Sequence, residues 1–475
     1  MSWGAVYDAA VVGAGPAGTA TAAHLTRAGL RVVLLEKAHF PRDKPCAEYL
    51  SPAVEPLLDA LGVRDELETA HAARLRGFRI YAPGGRMFQG DFAATRDAAG
   101  KPIFETGLAI PRLVLDATLA RAAVRAGAEL REGWRLADLT RAGDGTWRLV
   151  PAGDADPVRA RLLVGADGVH STVARRLGLH ALGRLRKIAL VAHVSGIAGL
   201  SEYGEMHIAN QRYVGLAPLD PLDPLDPLDP PHPSRSFGLP LASAEERGLG
   251  GEDPTRRCNV AMVVDERRDG PHLAGRPEAF LLDALETFPM LRGRLERAVV
   301  VRRTLAASRL SARARRLAGD GFLLVGDAGG YYDPFTGEGI YHALRSAELA
   351  AAVARDALAG GERASTGREG QRASTKYRAR ASTGREGQRA STGRPYELDA
   401  STLGRYEQVC RREFRGKRAI EAIIQAGVAF PPLMDHLAAV FARKPDMPHT
   451  VVAVTGDFLP PRAILRPGFL LRLIF

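Results

Sequence analysis

The sequence predicts an α/β fold in which a doubly wound, Rossmann-like lobe carries an inserted β-sheet lobe and is followed by C-terminal helices. Three observations carry this prediction. Residues 6–35 follow a strand, glycine turn, helix and strand pattern; two later apolar strands, ending at Val164 and Val325, also lead into glycine-containing turns; and β-rich stretches lie between them. The two strands of this strand–helix–strand unit are expected to be parallel in one sheet, and the connection between them is expected to be right-handed.

The individual elements follow from hydrophobic periodicity and from the positions of glycine and proline. Strands are expected at residues 6–12, 31–35, 75–81, 134–139, 147–150, 161–164, 188–194, 203–208, 213–217, 259–264, 299–305 and 322–325. Helices are expected at residues 16–28, 113–126, 337–359, 405–425 and 433–442. The Rossmann-like lobe is assigned to residues 1–73, 108–180 and 311–361, the inserted lobe to residues 74–107 and 181–310, and a helical region to residues 395–475.

Two low-complexity segments interrupt this pattern. Pro-Leu-Asp occurs four times in succession from Pro218, at the start of a loop assigned to residues 218–257. Proline removes amide donors and fixes φ, so this stretch is expected to be a surface excursion rather than a central strand. In residues 362–394 the peptide Ala-Ser-Thr-Gly-Arg-Glu-Gly-Gln-Arg occurs twice and almost no side chain is apolar, so disorder is expected there.

The net charge resides largely in the second of these segments. The 475 residues contain 65 Lys and Arg against 54 Asp and Glu, and the net charge of +11 by itself suggests a nucleic-acid or anionic-surface partner. Residues 362–394 hold nine basic and three acidic side chains. Their excess of six positive charges is more than half of the net charge of +11. We therefore expect no specific nucleic-acid binding, and a phosphate-binding tether formed by the basic repeat is kept only as a remote alternative.

Cysteine usage and hydropathy indicate the compartment. Cys46, Cys258 and Cys410 form no C-x-x-C pair, which excludes a disulfide scaffold and a cysteine-rich zinc site and favours a reducing compartment. Neither a signal peptide nor an apolar run of about 20 residues is visible, so a cytoplasmic protein is expected. Residues 458–475 mix apolar side chains with three arginines and are expected to cover a substrate pocket, with peripheral membrane contact as the alternative.

A glycine-rich turn between the first strand and the first helix carries the first functional signal. Residues 13–18 fill G-x-G-x-x-G, and Glu36 ends the next strand. The glycines permit a tight turn, a close approach to a pyrophosphate and close packing of helix on sheet, while Glu36 accepts hydrogen bonds from an adenosine ribose. The candidate dinucleotide-binding residues are Gly13, Gly15, Ala17, Gly18, Glu36 and Lys37.

Two later motifs narrow the choice of dinucleotide. Residues 163–171 read Leu-Val-Gly-Ala-Asp-Gly-Val-His-Ser, and residues 322–330 read Phe-Leu-Leu-Val-Gly-Asp-Ala-Gly-Gly before Asp-Pro-Phe-Thr-Gly-Glu-Gly-Ile at 333–340. With three motifs in this order, the chain resembles the geranylgeranyl-reductase-like branch of the flavoproteins with the hydroxybenzoate-hydroxylase fold. The resemblance spans nearly the whole chain outside the two low-complexity segments and implies a FAD-dependent oxidoreductase.

The resemblance also implies roles for individual residues. Asp327 would hydrogen-bond the ribityl chain of FAD, and the helix that opens at Gly337 and Gly339 would direct its amides at the flavin, where they stabilise negative charge during reduction. Asp167 and Gly168 would lie near the pyrophosphate. The FAD-contacting residues implied in this way are Arg112, Asp167, Gly168, Gly326, Asp327, Gly337, Glu338 and Gly339.

One cysteine is a candidate for catalysis. Cys46 stands where the family has a cysteine beside the flavin, but Ala47 replaces the glycine that follows it there. A thiol at this place either takes part in proton transfer or serves as a small buried apolar residue, and the sequence leaves both roles open.

The substrate side is indicated by a strand that departs from the family pattern. The aromatic Tyr-x-Trp-x-Phe-Pro strand of archaeal members becomes Tyr-Val-Gly-Leu-Ala-Pro at residues 213–218, which keeps Tyr213 and Pro218 but places Gly215 and Ala217 where Trp and Phe would stand. Tyr213, Gly215 and Pro218 are the candidate pocket residues. The smaller side chains leave room for a bulkier, ring-shaped or polyketide-like substrate.

Three flavin reactions are compared. Reduction of a C=C bond in a hydrophobic isoprenoid, quinone or polyketide-like substrate is favoured, and aromatic monooxygenation with NAD(P)H and oxygen is the alternative. A halogenase is the least favoured, because no Trp-x-Trp-x-x-Pro element is present and Trp3, Trp134 and Trp147 are isolated. No second complete G-x-G-x-x-G is found, so the sequence leaves the electron donor open, with NAD(P)H as a candidate, and it does not give the oligomeric state.

Overall fold

The computed structural model describes residues 5–70, 72–219, 256–375 and 398–474. Its strands are β1 (Tyr7–Val12), β2 (Val32–Leu35), β3 (Tyr49–Leu50), β4 (Ala73–Leu75), β5 (Gly77–Tyr81), β6 (Met87–Asp91), β7 (Gly107–Ala109), β8 (Glu129–Arg131), β9 (Leu136–Arg141), β10 (Trp147–Pro151), β11 (Val158–Gly165), β12 (His180–Leu182), β13 (Lys187–Ser195), β14 (Tyr203–Ala209), β15 (Arg212–Leu219), β16 (Arg257–Asp265), β17 (Val299–Ser308), β18 (Ala312–Ala314), β19 (Ala318–Gly319), β20 (Phe322–Leu324) and β21 (Gly330–Tyr331). Its helices are α1 (Pro16–Arg27), α2 (Glu55–Leu61), α3 (Arg64–Thr69), α4 (Arg112–Arg125), α5 (Thr172–Arg176), α6 (Glu266–Leu273), α7 (Pro277–Leu285), α8 (Gly339–Thr375), α9 (Ala400–Glu413), α10 (Lys417–Ala429), α11 (Pro431–Arg443), α12 (Asp446–Thr455), α13 (Arg462–Leu465) and α14 (Pro467–Ile474).

An eight-stranded sheet forms the first lobe. Its main path runs β19–β20–β11–β1–β2–β8, and β10 joins β11 to β9 beside it. The strands from β20 to β8 are parallel neighbours. Alternate residues of β1 enter different cores, since Ala9 and Val11 pack with α1, α4 and α8 on one face while Ala10 and Val12 pack with Trp134 on the other. This arrangement confirms the predicted α/β class with a doubly wound lobe.

A seven-stranded, mostly antiparallel sheet forms the inserted lobe, in the order β17–β13–β16–β15–β14–β5–β6. Its central strand β15 includes Pro218 and Leu219, which pair with Cys258 and Arg257 of β16. The expectation of a surface excursion from Pro218 onward is therefore wrong for these first two residues. Pro218 is tolerated next to the strand end, where few ladder bonds follow it, and residues 220–255 lie outside the described residues.

The C-terminal helices differ from the sequence pattern in two places. The helix expected at residues 405–425 is two helices, α9 and α10, because Gly416 between them has a φ of +84°. Helix α8 continues to Thr375, so residues 362–375 of the basic repeat are helical where disorder was expected, since extending a helix is easier than starting one. Residues 376–394 of the repeat lie outside the described residues.

The carboxyl ends of three parallel strands bring the sequence motifs together. Val12 of β1 pairs with Gly165 of β11, which in turn pairs with Leu324 of β20. The three motif turns therefore leave the sheet side by side, at the edge where open α/β sheets bind their ligands. On the far side of this edge, a second core lies between the seven-stranded sheet and helices α11 and α12.

Candidate active site

The first glycine-rich turn leaves no room for side chains at two of its three glycines. Gly13 has a φ of +98°, and a Cβ there would lie 2.6 Å from the carbonyl oxygen of Ala166. A Cβ on Gly18 would lie 1.8 Å from the carbonyl oxygen of Gly13. Gly15, by contrast, caps α1 and has only the end of the Arg42 side chain near its open face. The turn is therefore packed tightly on the protein side and open on the side where a pyrophosphate would approach.

Glu36 is held at the end of β2 by backbone groups. Its carboxylate accepts hydrogen bonds from the amides of Ala14 (2.9 Å) and Ala38 (3.1 Å), and the residue is buried. Arg42 Nε lies 3.5 Å from Glu36 Oε2. Lys37, in contrast, is exposed. The carboxylate of Glu36 is therefore fixed at the end of β2, where a ribose contact stays a prediction, whereas the exposure of Lys37 gives no support for a cofactor contact.

Two cations beside the turn were not among the residues selected from the sequence. Arg42 lies over Gly15, with Nη1 3.0 Å from Asp116 Oδ2. Lys44 Nζ lies 3.4 Å from the place a Cβ on Gly168 would take. Burial lowers the pKa of Lys44, and the nearby Arg112 lowers it further. The signal that could have found them is the pair of basic residues shortly after Glu36, because an anionic pyrophosphate needs cations close to the glycine turn.

Arg112 and Asp167 are occupied by protein partners. Arg112 forms two hydrogen bonds to Asp116, each 2.8 Å long, one turn along α4. Asp167 accepts hydrogen bonds from the Ser171 hydroxyl and from the amide of Thr172, and so caps α5. The carboxylate of Asp167 therefore holds the first turn of α5, while its Cα lies 2.8 Å from the place a Cβ on Gly13 would take, so its position near the pyrophosphate stays a prediction.

The third motif contacts the first. Gly326 has a φ of +56°, and a Cβ there would lie 2.8 Å from Cβ of Ala17. Asp327, next to it, is only partly buried, and its charge acts on Lys44. These contacts place the Asp327 carboxylate and the Lys44 ammonium at the same edge as the glycine turn.

The helix α8 begins where the resemblance implies a flavin-facing end. Gly337, just before it, has a φ of +70°, and a Cβ there would lie 2.6 Å from the ring of Tyr49. Glu338 instead turns away, with Oε1 3.3 Å from Lys417 Nζ of α10. Burial raises the pKa of Glu338, and Lys417 partly offsets that effect. The carboxylate of Glu338 therefore forms a buried ion pair with the C-terminal helices, and its contact with the cofactor stays a prediction.

The donor set fits FAD. The crowded glycine turn, the carboxylate of Glu36, the cations Arg42 and Lys44 and the partly buried Asp327 lie along one edge of the sheet. An adenosine ribose, a pyrophosphate and a polyhydroxyl chain need an acceptor, positive charge and a further acceptor in this order.

A buried charge cluster joins the two lobes behind Cys46. Glu48 is buried with a φ of +57°, and His193 Nε2 lies 2.6 Å from its Oε2. Arg302 Nη1 lies 3.4 Å from the other carboxylate oxygen, which also accepts a 2.9 Å hydrogen bond from the Arg112 amide. Burial would raise the pKa of Glu48, but His193 and then Arg302 outweigh it and lower the pKa to about 2. Sequence reasoning missed this cluster because its members are far apart along the chain.

Cys46 is clamped by its neighbours. Its carbonyl oxygen accepts a 3.0 Å hydrogen bond from Asn259 Nδ2, and its thiol lies 3.4 Å from the Glu48 amide. The residue is partly buried, and the next residue, Ala47, lines the cavity described below. The clamp fixes the backbone of Cys46 without deciding between the two roles that the sequence left open.

An apolar cavity of about 180 Å³ adjoins residues 333–338, the loop before α8 that the resemblance places at the flavin and that is named the flavin-facing loop for this reason. It begins at Ala47, Tyr49 and Gly337, has the seven-stranded sheet as its floor and is covered by helices α10 to α14. Gly215 lines it together with Ala217, and a Cβ on Gly215 would meet its nearest side chain only at 3.5 Å. Gly215 and Ala217, which stand where archaeal members of the family have aromatic residues, therefore leave open space in the cavity wall.

The other two pocket candidates do not line this cavity. Tyr213 is buried beneath the flavin-facing loop, where its hydroxyl donates a 2.6 Å hydrogen bond to Asp333, and Pro218 lies farther along β15. Asp333 also accepts a 2.8 Å hydrogen bond from Gln425 of α10. Burial raises the pKa of Asp333 to about 6. Tyr213 therefore supports the loop from below, and neither Tyr213 nor Pro218 lines this cavity.

Comparison with known proteins agrees with this geometry. A family model described as "FAD binding domain" matches residues 6–218. The chain is 31% identical over 376 residues to digeranylgeranylglycerophospholipid reductase of Methanothrix thermoacetophila, covering 78% of this chain and 82% of that protein. It is 30% identical over 359 residues to menaquinone reductase of Mycolicibacterium smegmatis, covering 72% and 75%. Conditioned medium factor receptor 1 of Dictyostelium discoideum is 29% identical, and the chain spans 62% of its length.

Solved structures support the fold. A geranylgeranyl bacteriochlorophyll reductase-like protein of Thermoplasma acidophilum superposes with a TM-score of 0.66 at 19% identity, covering 97% of this chain and 96% of the other. A flavin-dependent brominase superposes with a TM-score of 0.70 at 18% identity, covering 98% of both chains. At such identities the likeness concerns the fold alone. The relatives and the site together show that the chain is a FAD-dependent oxidoreductase and belongs to the flavoprotein family that includes the digeranylgeranylglycerophospholipid and menaquinone reductases.

Proposed function

We propose that the protein reduces a carbon–carbon double bond in an apolar, unsaturated substrate such as an isoprenoid chain or the isoprenoid-bearing ring of a quinone. The observation that carries the proposal is the apolar cavity beginning at Gly337, where the flavin-facing helix opens. Two named relatives support it, because a digeranylgeranyl lipid and menaquinone are both isoprenoid compounds with polar ends. The shared chemistry is a long apolar chain with isolated, trisubstituted double bonds.

The cavity walls account for binding and water exclusion. Phe335 and Thr336 of the flavin-facing loop line one end, and Phe441 and Phe469 of the covering helices line the other. Such a surface holds an unsaturated hydrocarbon by burial of apolar area, at about 25 cal/mol per Å². Bound FAD, once reduced, supplies two electrons, and two protons complete the addition of two hydrogens across the double bond.

Gly215 and Ala217 favour a wide substrate. Both lie on β15 in the cavity wall, where larger aromatic residues would narrow the space. We therefore favour a substrate with a ring or a branched end over a single linear chain. The two described tryptophans, Trp134 and Trp147, are buried in the core of the first lobe and away from the cavity lining, which gives no support for halogenation at this site.

The reaction type is tested with the flavin-loaded protein under anaerobic conditions. The flavin is reduced with dithionite, and in parallel with NADPH and NADH to identify the donor, and then mixed with menaquinone or with a digeranylgeranyl glycerophospholipid. The expected result is substrate-dependent reoxidation of the flavin and a product that remains heavier by two hydrogens per reduced double bond after any quinol has been reoxidised to quinone in air.

Two outcomes contradict the proposal. If none of the unsaturated apolar compounds accelerates flavin reoxidation in the absence of oxygen, the protein is no reductase of this class. If reoxidation by air with a phenolic substrate yields a product with one added oxygen atom, the protein is the aromatic monooxygenase that the sequence keeps as its alternative.

A further inference from the structure

The mouth of the apolar cavity opens on an apolar surface. Ile423 of α10 and Leu470 of α14 both line the cavity, and they are 49% and 40% exposed. Phe430 and Leu471 lie on the same two segments and are 60% and 54% exposed. Ten large apolar side chains are exposed among the described residues, and these are four of them. Exposed apolar residues are thus concentrated where the cavity meets the surface, and such concentrations mark binding surfaces.

The outer face of α10 is apolar. Ala422, Ile423, Ala426, Ala429 and Phe430 are exposed at helical spacing, and no charged residue lies between Glu421 and the end of the helix. A surface helix ordinarily turns polar side chains outward, so this pattern is reversed.

The acidic residue of α10 adds little charge to that face. Burial raises the pKa of Glu421 to about 8, with further contributions from Glu338 and Asp333. Glu421 is therefore largely protonated near neutral pH, which lowers the cost of placing this helix in an apolar environment.

Helices α13 and α14 extend the same surface. His436 of α11 lies 3.0 Å from the carbonyl oxygen of Leu473, and Lys444 donates a 2.7 Å hydrogen bond to that of Arg472. A Cβ on Gly416, just before α10, would lie 2.9 Å from Cβ of Pro461, just before α13. The three helices therefore surround one cavity mouth.

Unpaired cations flank this mouth. Arg415, Arg418, Arg462 and Arg466 are exposed and form no ion pair within the described parts of the chain. Two acidic groups of this region are already paired, Asp446 with Arg472 and Asp457 with the buried Lys417. An apolar patch bordered by arginines complements a surface with an apolar interior and anionic groups at its boundary.

We propose that this surface, formed by the outer sides of α10, α13 and α14, docks on an anionic lipid bilayer and opens the cavity directly to the lipid. The proposal rests on the proposed function in one respect, because it assumes that the cavity takes an apolar substrate. A second copy of the chain fits less well, since a symmetric contact would bring the arginines of two molecules face to face.

Vesicle co-sedimentation tests the proposal with the full-length, FAD-loaded protein. Vesicles of phosphatidylcholine with phosphatidylglycerol are compared with vesicles of phosphatidylcholine alone. We expect binding to the anionic vesicles that falls as salt is raised, and a loss of about tenfold or more in the partition coefficient for the double variant Phe430→Ser/Leu471→Ser. Arg462→Glu/Arg466→Glu should weaken binding to the anionic vesicles only.

The matched control is Leu182→Ser at the end of β12. Leu182 is 54% exposed, like Leu471, but it does not line the cavity. Leu182→Ser should bind vesicles like the unchanged protein, and bound FAD and circular dichroism verify that every variant is folded. Equal binding by Phe430→Ser/Leu471→Ser and Leu182→Ser, or no binding to anionic vesicles at all, overturns the proposal. Self-association that the double variant abolishes, without vesicle binding, assigns the surface to a second copy instead.

The two proposals fail separately. Vesicle binding is measured without turnover, so a protein that binds vesicles but reduces no double bond refutes only the proposed reaction. A protein that reduces detergent-dispersed substrate but does not bind vesicles refutes only the docking surface.

Discussion

The nucleotide cradle at residues 13–18 and the apolar cavity, which Gly337 helps to line, are built in opposite ways. The cradle depends on backbone geometry within one short turn, and a single Cβ at Gly18 would collide with the carbonyl oxygen of Gly13. The cavity is lined by side chains from residues 47 to 473, and no one of them determines its shape. The difference teaches that cofactor binding in this chain is sensitive to small changes at a few positions, whereas substrate choice depends on the sum of many replaceable apolar contacts.

Between the two regions lies the cluster of Glu48, His193 and Arg302. It ties the Cys46 segment of the first lobe to β13 and β17 of the second, through contacts of 2.6 and 3.4 Å. The left-handed backbone of Glu48 is held in place by these contacts and by the Arg112 amide. Such a strained residue persists only where its surroundings over-determine it. The cluster therefore fixes how the cradle and the cavity meet.

The largest effect is expected in the cradle. Gly18→Ala forces a Cβ to within 1.8 Å of the Gly13 carbonyl oxygen, so α1 must move away from the turn. We expect loss of bound FAD, measured as flavin absorbance per protein chain after purification. Gly143→Ala is the control, because a Cβ there meets nothing within 4 Å. Full flavin content in Gly18→Ala would contradict this expectation, because it would show that residues 13–18 can shift to accept a Cβ and still bind FAD.

A smaller effect is expected where the two regions join. Glu48→Gln keeps the shape but removes the charge that His193 and Arg302 face, and breaking a buried pair costs about 3 kcal/mol of the free energy of unfolding. This loss in the free energy of unfolding is measured by urea unfolding. Glu202→Gln, at an exposed position facing Arg76 across 3.7 Å, is the control and should change the free energy of unfolding by less than about 0.5 kcal/mol.

The same variant has a pH dependence whose sign follows from the lowered pKa. Because the folded pKa of Glu48 is about 2 and its ordinary value is 4.5, its contribution is complete above the ordinary value and is lost as the pH falls towards about 2. The free energy of unfolding of Glu48→Gln should therefore fall less steeply than that of the unchanged protein between about pH 5 and about pH 3. Parallel curves would mean that the pKa of Glu48 is the same in the folded and the unfolded protein.

The smallest effect is expected in the cavity. Gly215→Phe fills open space in the wall and should raise the KM for a ring-bearing substrate by roughly tenfold, with unchanged FAD content. Gly215→Ala, whose Cβ finds room at 3.5 Å from Met206, should leave the KM nearly unchanged. If Gly215→Phe lowered flavin content instead, the cradle and the cavity would not be independent, and the comparison would fail.

Sequence reasoning succeeded where function is encoded in a few adjacent residues. The G-x-G-x-x-G turn, Glu36 and the later Gly-Asp motif all lie together in the structure because each directly follows a strand of the same parallel sheet. It did not identify the protein partners of side chains that have a choice of them. Glu338 pairs with Lys417 and Asp167 caps α5, and neither partner could be identified from the local motif.

The sequence by itself determined the fold class, the turn that binds the dinucleotide and the loss of aromatic side chains at Gly215 and Ala217. Strand and turn propensities and glycine positions are local properties, so they can be read in chain order. Only the tertiary structure decided that Glu48 meets His193 and Arg302, and that the last helices close the cavity and present Phe430 and Leu471 at its mouth. These contacts join residues separated by more than a hundred positions, and their partners are chosen by packing and burial of the folded chain.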